Sequence, residues 1–402
     1  MAGKTEFDIL VAGTGPAGLV AALLAHEAGL DTAVAGPPAR ADDVRTTTLM
    51  RPALERLEGL GFDTRFGGKA APLKVMRIVD ATKRLIRSPV ATFHAGEIGE
   101  PHFGMNIPNR VLNASLAAAV HSRKIAWHEA LVEAWSPQAE RVTARLETGG
   151  DLTAKLVAAA DGRNSPARAA AGISIRNRSY RQSAFVTVFA HERPHGGIST
   201  EFHTETGPFT VVPLPGERSS LVWVVTPVEA EALMALPLAD LSLRIEQRMQ
   251  SMLGKVAAED VRQAYPLSSG LPSAFAAGRI ALIGEAAHVF PPIGAQGLNL
   301  GIRDAADLVS AAVAHRDDPG AAAALRAYDR ARRPDIVART AAVSLLNESL
   351  LSGLLPAQIA RSAGLAALSG FAPLRGVFMR EGMRPGSGLS HFVSSVRDRV
   401  RR

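Results

Sequence analysis

The sequence predicts an α/β fold in three parts: a parallel-sheet domain, an antiparallel sheet inserted into it, and a helical region at the C-terminus. Three observations carry this. A β-α-β unit opens the chain, apolar strand runs ending in Asp-Gly or Gly recur as far as Gly284, and β-rich text with Gly/Pro turns lies between them.

Taken in order, Phe7–Ala12 (FDILVA) is a short β-rich run, Gly13 to Gly18 a glycine turn, and Leu19 to Ala28 a helical run closed by Gly29. Thr32 to Ala35 is a second apolar strand before Gly36-Pro37-Pro38, so strand, helix and strand fit the roughly 30 residues of a parallel βαβ unit. Leu156 to Ala160, ending in Asp161-Gly162, and Arg279 to Ile283, ending in Gly284, read as further strands of the same sheet. From Gln182 to Thr226 the runs SAFVTVFAHE, GPFTVVPLP and SSLVWVVTP alternate with turns, the pattern of antiparallel strands, and Leu73 to Arg87 reads as a hairpin joining them. Beyond Arg303 the pattern is helical: Asp304 to His315, then Ala321 to Leu351, where Pro334 marks a helix start or a kink. The expected division is 1–72, 101–175 and 266–315 for the parallel-sheet domain, 73–100 and 176–265 for the inserted sheet, and 316–402 for the helical region with a basic tail.

Composition excludes several classes of function. At 402 residues, 47% hydrophobic and 21% charged, the chain is an ordinary globular one with a sizeable core, not a disordered one. The absence of cysteine removes disulfide scaffolds, thiolate metal sites, iron–sulfur ligation and Cys nucleophiles together. Ile9 to His26 is uncharged, but Gly13, Gly15, Pro16 and Gly18 break it and Glu27 follows, so it reads as neither a membrane span nor a signal peptide, and a cytoplasmic location is expected. The net charge is +7, yet the basic residues are dispersed and aromatics are only 5%, so no nucleic-acid partner is expected. His191, His195 and His203 match no ligand spacing, and no metal is expected.

Three constellations could carry chemistry. Gly13-Thr14-Gly15-Pro16-Ala17-Gly18 follows a strand and opens a helix, the context in which glycines let a pyrophosphate approach the backbone and rest on a helix N-terminus. The acidic residue expected about 20 residues on, for the ribose hydroxyls, is missing: Gly36 ends the second strand and Asp31 precedes it. Asp161-Gly162-Arg163-Asn164-Ser165-Pro166-Ala167-Arg168 follows another strand and taken alone could be a plain turn. The third runs from Gly284-Glu285 through His288 and Pro291-Pro292 to Gly297-Leu298-Asn299 and Asp304, with glycines that let backbone N–H groups converge on an anion at a helix start. Within it His288 is open to two readings, a base or a packed residue at a strand–helix junction.

In this order the motifs resemble those of single-component flavin-dependent aromatic hydroxylases of the para-hydroxybenzoate hydroxylase fold, and within that group the ubiquinone-biosynthesis hydroxylases. The similar text includes Arg45-Thr46-Thr47-Thr48-Leu49, Ile107 to Leu112, Gly207-Pro208-Phe209 with Pro213-Leu214-Pro215, Leu221-Val222-Trp223 and Pro291 to Asp304, and it spans roughly residues 7 to 340. The resemblance implies a Rossmann-like FAD-binding domain, FAD as cofactor, NADPH or NADH as a transient reductant, and transfer of one atom of O2 to the ring of a polyprenylated phenol. It also implies roles. Gly13, Gly15, Pro16, Ala17 and Gly18 would cradle the FAD pyrophosphate, and Arg45 and Arg110 would meet its phosphate and ribityl region. Asp161 and Gly162, with Arg168 closing the pattern, match a motif associated with both FAD and the nicotinamide nucleotide. Gly284 and Glu285 would meet the ribityl chain, Gly297, Leu298 and Asn299 would present N–H groups to the flavin's pyrimidine edge, and Pro291 and Pro292 would shape the oxygen-transfer side. Glu285 stands where the wider group has Asp. With Gly36, this departure leaves as an alternative a flavin-poor, non-catalytic paralogue acting as an interaction subunit; a separate alternative is a flavin hydroxylase of a soluble aromatic compound, which the resemblance to the ubiquinone group and the apolar C-terminal third disfavour.

Ala341 to Ala372 carries only Glu348 and Arg361 as charges. It reads either as a buried helical subdomain or as an apolar surface that docks a membrane or other quinone-biosynthesis proteins. Residues 373–402 hold seven Arg against Glu381 and Asp398, a local +5 beside that segment, so an anionic membrane surface is an expected partner and peripheral attachment at the inner face of the cell membrane an expected location.

Overall fold

The structure, a computed structural model, describes residues 4–40, 43–84, 86–291, 296–351 and 354–384. The described residues form three sheets. In the largest, five strands run parallel in the order Ile280–Leu282, Asp151–Ala159, Glu6–Ala12, Thr32–Ala35, Ala126–His128, with Val142–Leu146 and Val132–Pro137 continuing antiparallel from Asp151–Ala159. From Ile9 to Ala12 the central strand is apolar because it is covered on both faces, and Ile9, Leu10 and Val11 are fully buried. The glycine helix, Pro16–Glu27, begins three residues earlier than the periodicity suggests, since Pro16 at its first position needs no N–H partner. It packs on the helix Gln296–Ala314 through Gly301, where a Cβ would stand 3.1 Å from the Ala17 Cβ.

The second sheet is antiparallel apart from one pair, in the order Val256–Pro272, Ile175–His191, Arg218–Val225, Pro208–Leu214, Ile198–His203, Val75–Asp80, Ala91–His94. Phe185, Phe189, Phe209 and Trp223 fill its covered face under the helices Pro227–Ala235 and Leu238–Arg248. Leu73 to Arg87 is not a hairpin. Apart from Leu73, which ends the strand Ala71–Leu73, Val75–Asp80 is the one strand among the described residues there; its hairpin partner is Ala91–His94, and it pairs parallel with Ile198–His203. Asp80 explains the early stop: its carboxylate accepts the Thr82 and Ser88 amides and so holds both at the strand end. The strands Ile175–His191 and Val256–Pro272 run unbroken across the expected boundaries at 175/176 and 265/266.

A small third sheet, Thr46–Met50, Gly104–Pro108 and Ala71–Leu73, joins the other two. Its buried Asn106 donates to the Pro213 carbonyl (2.9 Å) and the Ser220 hydroxyl (3.2 Å), and Thr46 Oγ1 donates to Ser220 Oγ (2.9 Å). The C-terminal helices Ala322–Leu351, Leu355–Gly370 and Ala372–Met383 follow. Pro334 lies inside the first of these rather than at its start. Leu365, Leu368 and Met379 pack towards Phe93 and Ile98, whereas Leu345, Leu354, Leu355, Ile359, Phe371 and Phe378 are exposed.

Candidate functional site

The three motifs meet because they terminate neighbouring parallel strands at the same level. Ala12 is in register with Ala159 on one side and Ala35 on the other, and Ala159 with Leu282. Gly13, Asp161, Gly284 and Gly36 therefore line one edge of the sheet, at the carboxyl ends of strands where α/β proteins bind their ligands.

The three glycines of the first motif divide the work. Gly13 has φ +107°, and a Cβ there would overlap the Ala160 carbonyl. Gly18 permits close packing, since its Cβ would overlap the Gly13 carbonyl and sit 3.0 Å from the Ala160 Cβ. Gly15 is exposed and has nothing within 4 Å of its Cβ position. It is the N-cap of a helix with no acidic residue in its first turn, so unpaired N–H groups and the positive end of the dipole face open space. That cradle fits a pyrophosphate.

Gly36 has φ +144°, its Cβ would stand 3.2 Å from Thr14 Cγ2, and its carbonyl accepts Trp127 Nε1 (3.0 Å). A side chain at this position would be strained by the backbone and crowded by Thr14. Asp31 sits at the opposite end of its strand, paired with Lys4 (2.5 Å), away from the cradle.

Asp161 Oδ2 accepts the Ala167 amide (3.0 Å), while Oδ1 is buried with no partner among the described residues. Burial pushes its carboxyl pKa up against the hydrogen bonds from Ser165 and the Ala167 amide. An orphaned acceptor on the ligand edge of the sheet suits a hydroxyl or amide donor. Gly162 turns the chain with φ +86°. Arg168 is buried and ties the motifs together: Nη1 donates to the Ala286 carbonyl and Nη2 to the Arg163 carbonyl, both at 3.0 Å. Burial lowers its pKa.

In the third motif Gly284 has φ +59°, and Glu285 is exposed. His288 is buried, with Nε2 2.7 Å from Asp304 Oδ2, which supports the packed reading over the base. Pro291 is buried, and Pro292 lies outside the described residues. Gly297, Leu298 and Asn299 occupy the first turn of the helix Gln296–Ala314, where backbone N–H groups have no intrahelical acceptor. The Asn299 side chain is committed elsewhere: Nδ2 donates to the Thr48 carbonyl and Oδ1 accepts the Met50 amide, both at 2.8 Å. Gly270 and Val289 exchange backbone hydrogen bonds, so the long ribbon of the inserted sheet also ends on this segment.

Arg45 is exposed and forms a fork with Asp43 (2.8 Å twice), which Asn109 supports (3.0 Å). Asp43 raises the Arg45 pKa, and burial of Asp43 is outweighed by these hydrogen bonds, which hold its carboxyl low. Arg110 is exposed at the start of the helix Asn109–Ser122. Tyr265, unremarked in the sequence, faces Arg45 and Glu285 from the long strand, with its phenol pKa raised mainly by burial. Each of the three histidines has its own hydrogen-bond partner, His191 with Ser219, His195 with the Leu214 carbonyl and His203 with Glu201, and the rings of His191 and His195 meet edge-on at 5.7 Å.

Residues 6–342 match the family model described as FAD binding domain. The chain belongs to this family. FAD is its cofactor. Among the proteins similar to this chain, ubiquinone hydroxylase UbiL of Rhodospirillum rubrum is 32% identical over 94% of this chain and 89% of its own length. The 3-demethoxyubiquinol 3-hydroxylase of Escherichia coli is 28% identical over 86% of this chain and 88% of its own length. Solved structures share the fold: Pseudomonas aeruginosa PqsL in complex with 2-aminobenzoylacetate (TM-score 0.76, 22% identity, 90% of this chain and 99% of that one) and Klebsiella pneumoniae HpxO with FAD and uric acid (TM-score 0.74, 19% identity, 96% and 98%).

Proposed function

We propose that the protein is an FAD-dependent monooxygenase that hydroxylates the aromatic ring of a polyprenylated phenol in ubiquinone biosynthesis, using NAD(P)H and O2. The observation that carries the reading is the alignment of Gly13, Asp161 and Gly284 at the carboxyl ends of adjacent parallel strands, above the open cradle at Gly15. The relatives named for ubiquinone chemistry favour this substrate over a soluble aromatic compound.

In this reading Gly13, Gly15, Pro16, Ala17 and Gly18 hold the pyrophosphate, with Gly15 giving the approach and the other two glycines the turn and the packing. Arg45 and Arg110 meet the phosphate and ribityl region, Gly284 and Glu285 the ribityl chain, and Asp161 with Gly162 a hydroxyl of the cofactor or of the visiting nucleotide. The first-turn N–H groups of Gly297, Leu298 and Asn299 stabilise negative charge at the pyrimidine edge. Bound FAD supplies the activation of O2 and the transfer of one oxygen atom. The protein positions the ring and excludes water, with Pro291 and Pro292 on that side of the pocket. The division into a cofactor part, an inserted sheet that meets the substrate and a C-terminal helical part belongs to the same proposal.

The exposed Leu345, Leu354, Leu355, Ile359 and Phe371 suit docking on a membrane, from which a prenyl chain would be drawn, and a basic tail beside them would favour an anionic one. The tail from 385 to 402, which carries Arg397, Arg399, Arg401 and Arg402, lies outside the described residues. No described helix is long and apolar enough to cross a membrane.

Two measurements test the proposal. The purified protein should show a flavin spectrum, directly or after adding FAD, and a strain lacking the gene should accumulate a prenylated phenol short of one hydroxyl. Failure to take up FAD sinks the enzymatic reading and leaves the interaction subunit. Normal quinone with no such intermediate sinks the substrate.

A further inference from the structure

We infer that Arg332, on the helix Ala322–Leu351 and outside all three motifs, is the positioning residue for the cofactor-facing ends of the third motif, Gly284 and Gln296. The inference rests on the proposed flavin reading. Arg332 is 1% exposed, and its Nε donates to Asp304 Oδ1 at 2.7 Å. The other oxygen of the same carboxylate accepts the Gly284 amide (3.0 Å) and lies 2.7 Å from His288 Nε2. Fixing one oxygen fixes the rotation of the carboxylate, and with it the two groups on the far side. A second arm leaves from Nη1, which donates to Asp335 Oδ2 (3.1 Å). Asp335 Oδ1 accepts Arg339 Nε (2.8 Å), and Arg339 Nη1 donates to Gln296 Oε1 (2.7 Å). One guanidinium thus reaches both described ends of the motif: the strand end at Gly284 and the helix start at Gln296.

Packing alone does not call for this arrangement. Apolar side chains of equal volume stabilise a helix–helix contact as well as a buried ion pair or better. What the ion pair adds is direction, through a planar fork whose separate N–H groups serve Asp304, Asp307 and Asp335 at once. A lysine keeps the charge but not the fork.

Arg279 supplies the control. It is also buried and also forms a fork, with Asp318 (2.6 and 2.8 Å), but it precedes the strand Ile280–Leu282 whose other end runs into Gly284. The experiment compares wild type, Arg332→Lys, Arg339→Gln and Arg279→Lys. The readouts are the FAD dissociation constant of the apo-protein, the apo-protein Tm, and the share of NAD(P)H oxidised that ends as hydrogen peroxide. Arg332→Lys should weaken FAD binding about tenfold, roughly 1.4 kcal/mol, and raise the peroxide share. Arg339→Gln, at a partly exposed residue, should weaken FAD binding a few-fold at unchanged Tm. Arg279→Lys should lower Tm alone. Wild-type FAD affinity in both Arg332→Lys and Arg339→Gln overturns the inference, as does equal weakening by Arg279→Lys. Should Arg332→Lys fail to fold, Arg339→Gln decides. Wild-type protein that does not bind FAD overturns instead the reading on which the inference rests.

Discussion

Gly15→Ala and Gly18→Ala are the same chemical change three residues apart, and the structure requires opposite outcomes. The Gly18 methyl would overlap the Gly13 carbonyl oxygen and stand 3.0 Å from the Ala160 Cβ, so the glycine helix must move off its strand. Overpacking of this kind costs about 2 kcal/mol, within the usual span of roughly 1–3, and at roughly 2–4 °C per kcal/mol this lowers the apo-protein Tm by about 4–8 °C. The Gly15 methyl meets nothing within 4 Å, and its backbone (φ −68°) suits alanine, so the apo-protein loses at most about 1 kcal/mol of capping. It would, however, stand between the pyrophosphate and the helix N-terminus. Losing about 1.4–2.8 kcal/mol of charge-assisted contact there raises the FAD dissociation constant about 10- to 100-fold. Differential scanning fluorimetry of apo-protein and a flavin fluorescence titration separate the two. If Gly15→Ala lowers the apo-protein Tm more than Gly18→Ala, or leaves FAD affinity unchanged, the division of labour among these glycines is wrong.

Other predictions follow from individual residues. Gly36→Asp should not tighten FAD binding and should destabilise the protein, because φ +144° and Thr14 oppose any side chain there; a tighter dissociation constant would contradict this. Burial would raise the Asp304 pKa, but His288 and Arg332 hold it below the carboxylate range. The stability Asp304 contributes is therefore present above its unfolded value of about 4 and lost as pH falls through the folded one; Asp304→Asn should lower Tm at pH 7 and flatten the acid limb of a Tm–pH curve. Asp161 has the opposite sign: its pKa is raised by burial, so the folded protein favours the proton and ionisation costs stability as pH rises past about 4. Asp161→Asn should then raise the apo-protein Tm at pH 7, with little change near pH 3, while slowing reduction by NAD(P)H. Leu354→Asp with Ile359→Asp should reduce binding to anionic liposomes about tenfold or more at unchanged FAD affinity.

Much of the parallel sheet was legible because each buried strand is a short apolar run closed by glycine or Asp-Gly, a local signal. The small third sheet was not. Thr46–Met50 and Ala71–Leu73 are short, and what holds them is distant: the side chain of Asn299 for one and the strand Gly104–Pro108 for both. The hairpin was misplaced for a similar reason, since its second arm follows a segment tied down by one carboxylate, Asp80. Arg332 left a readable trace that motif reading passed over. Leu325, Tyr328 and Ile336 mark the buried face of its helix, Arg332 falls on that face, and Asp304 falls on the buried face marked by Leu300, Ala305 and Leu308. Opposite charges on two apolar stripes imply a buried pair, although only the fold tells which groups it restrains.

The parallel pairing of Val75–Asp80 with Ile198–His203 joins segments more than a hundred residues apart, and it governs how the molecule can be dismantled. A fragment beginning near residue 175 would leave Ile198–His203 as an open edge carrying Thr200, Phe202 and His203, all buried in the whole chain. Open edges of that kind recruit other chains. The inserted sheet is therefore not a module to be cut out and grafted elsewhere. Its last two strands arrive with the first hundred residues, and in synthesis they must wait for the later ones to emerge before the sheet can close.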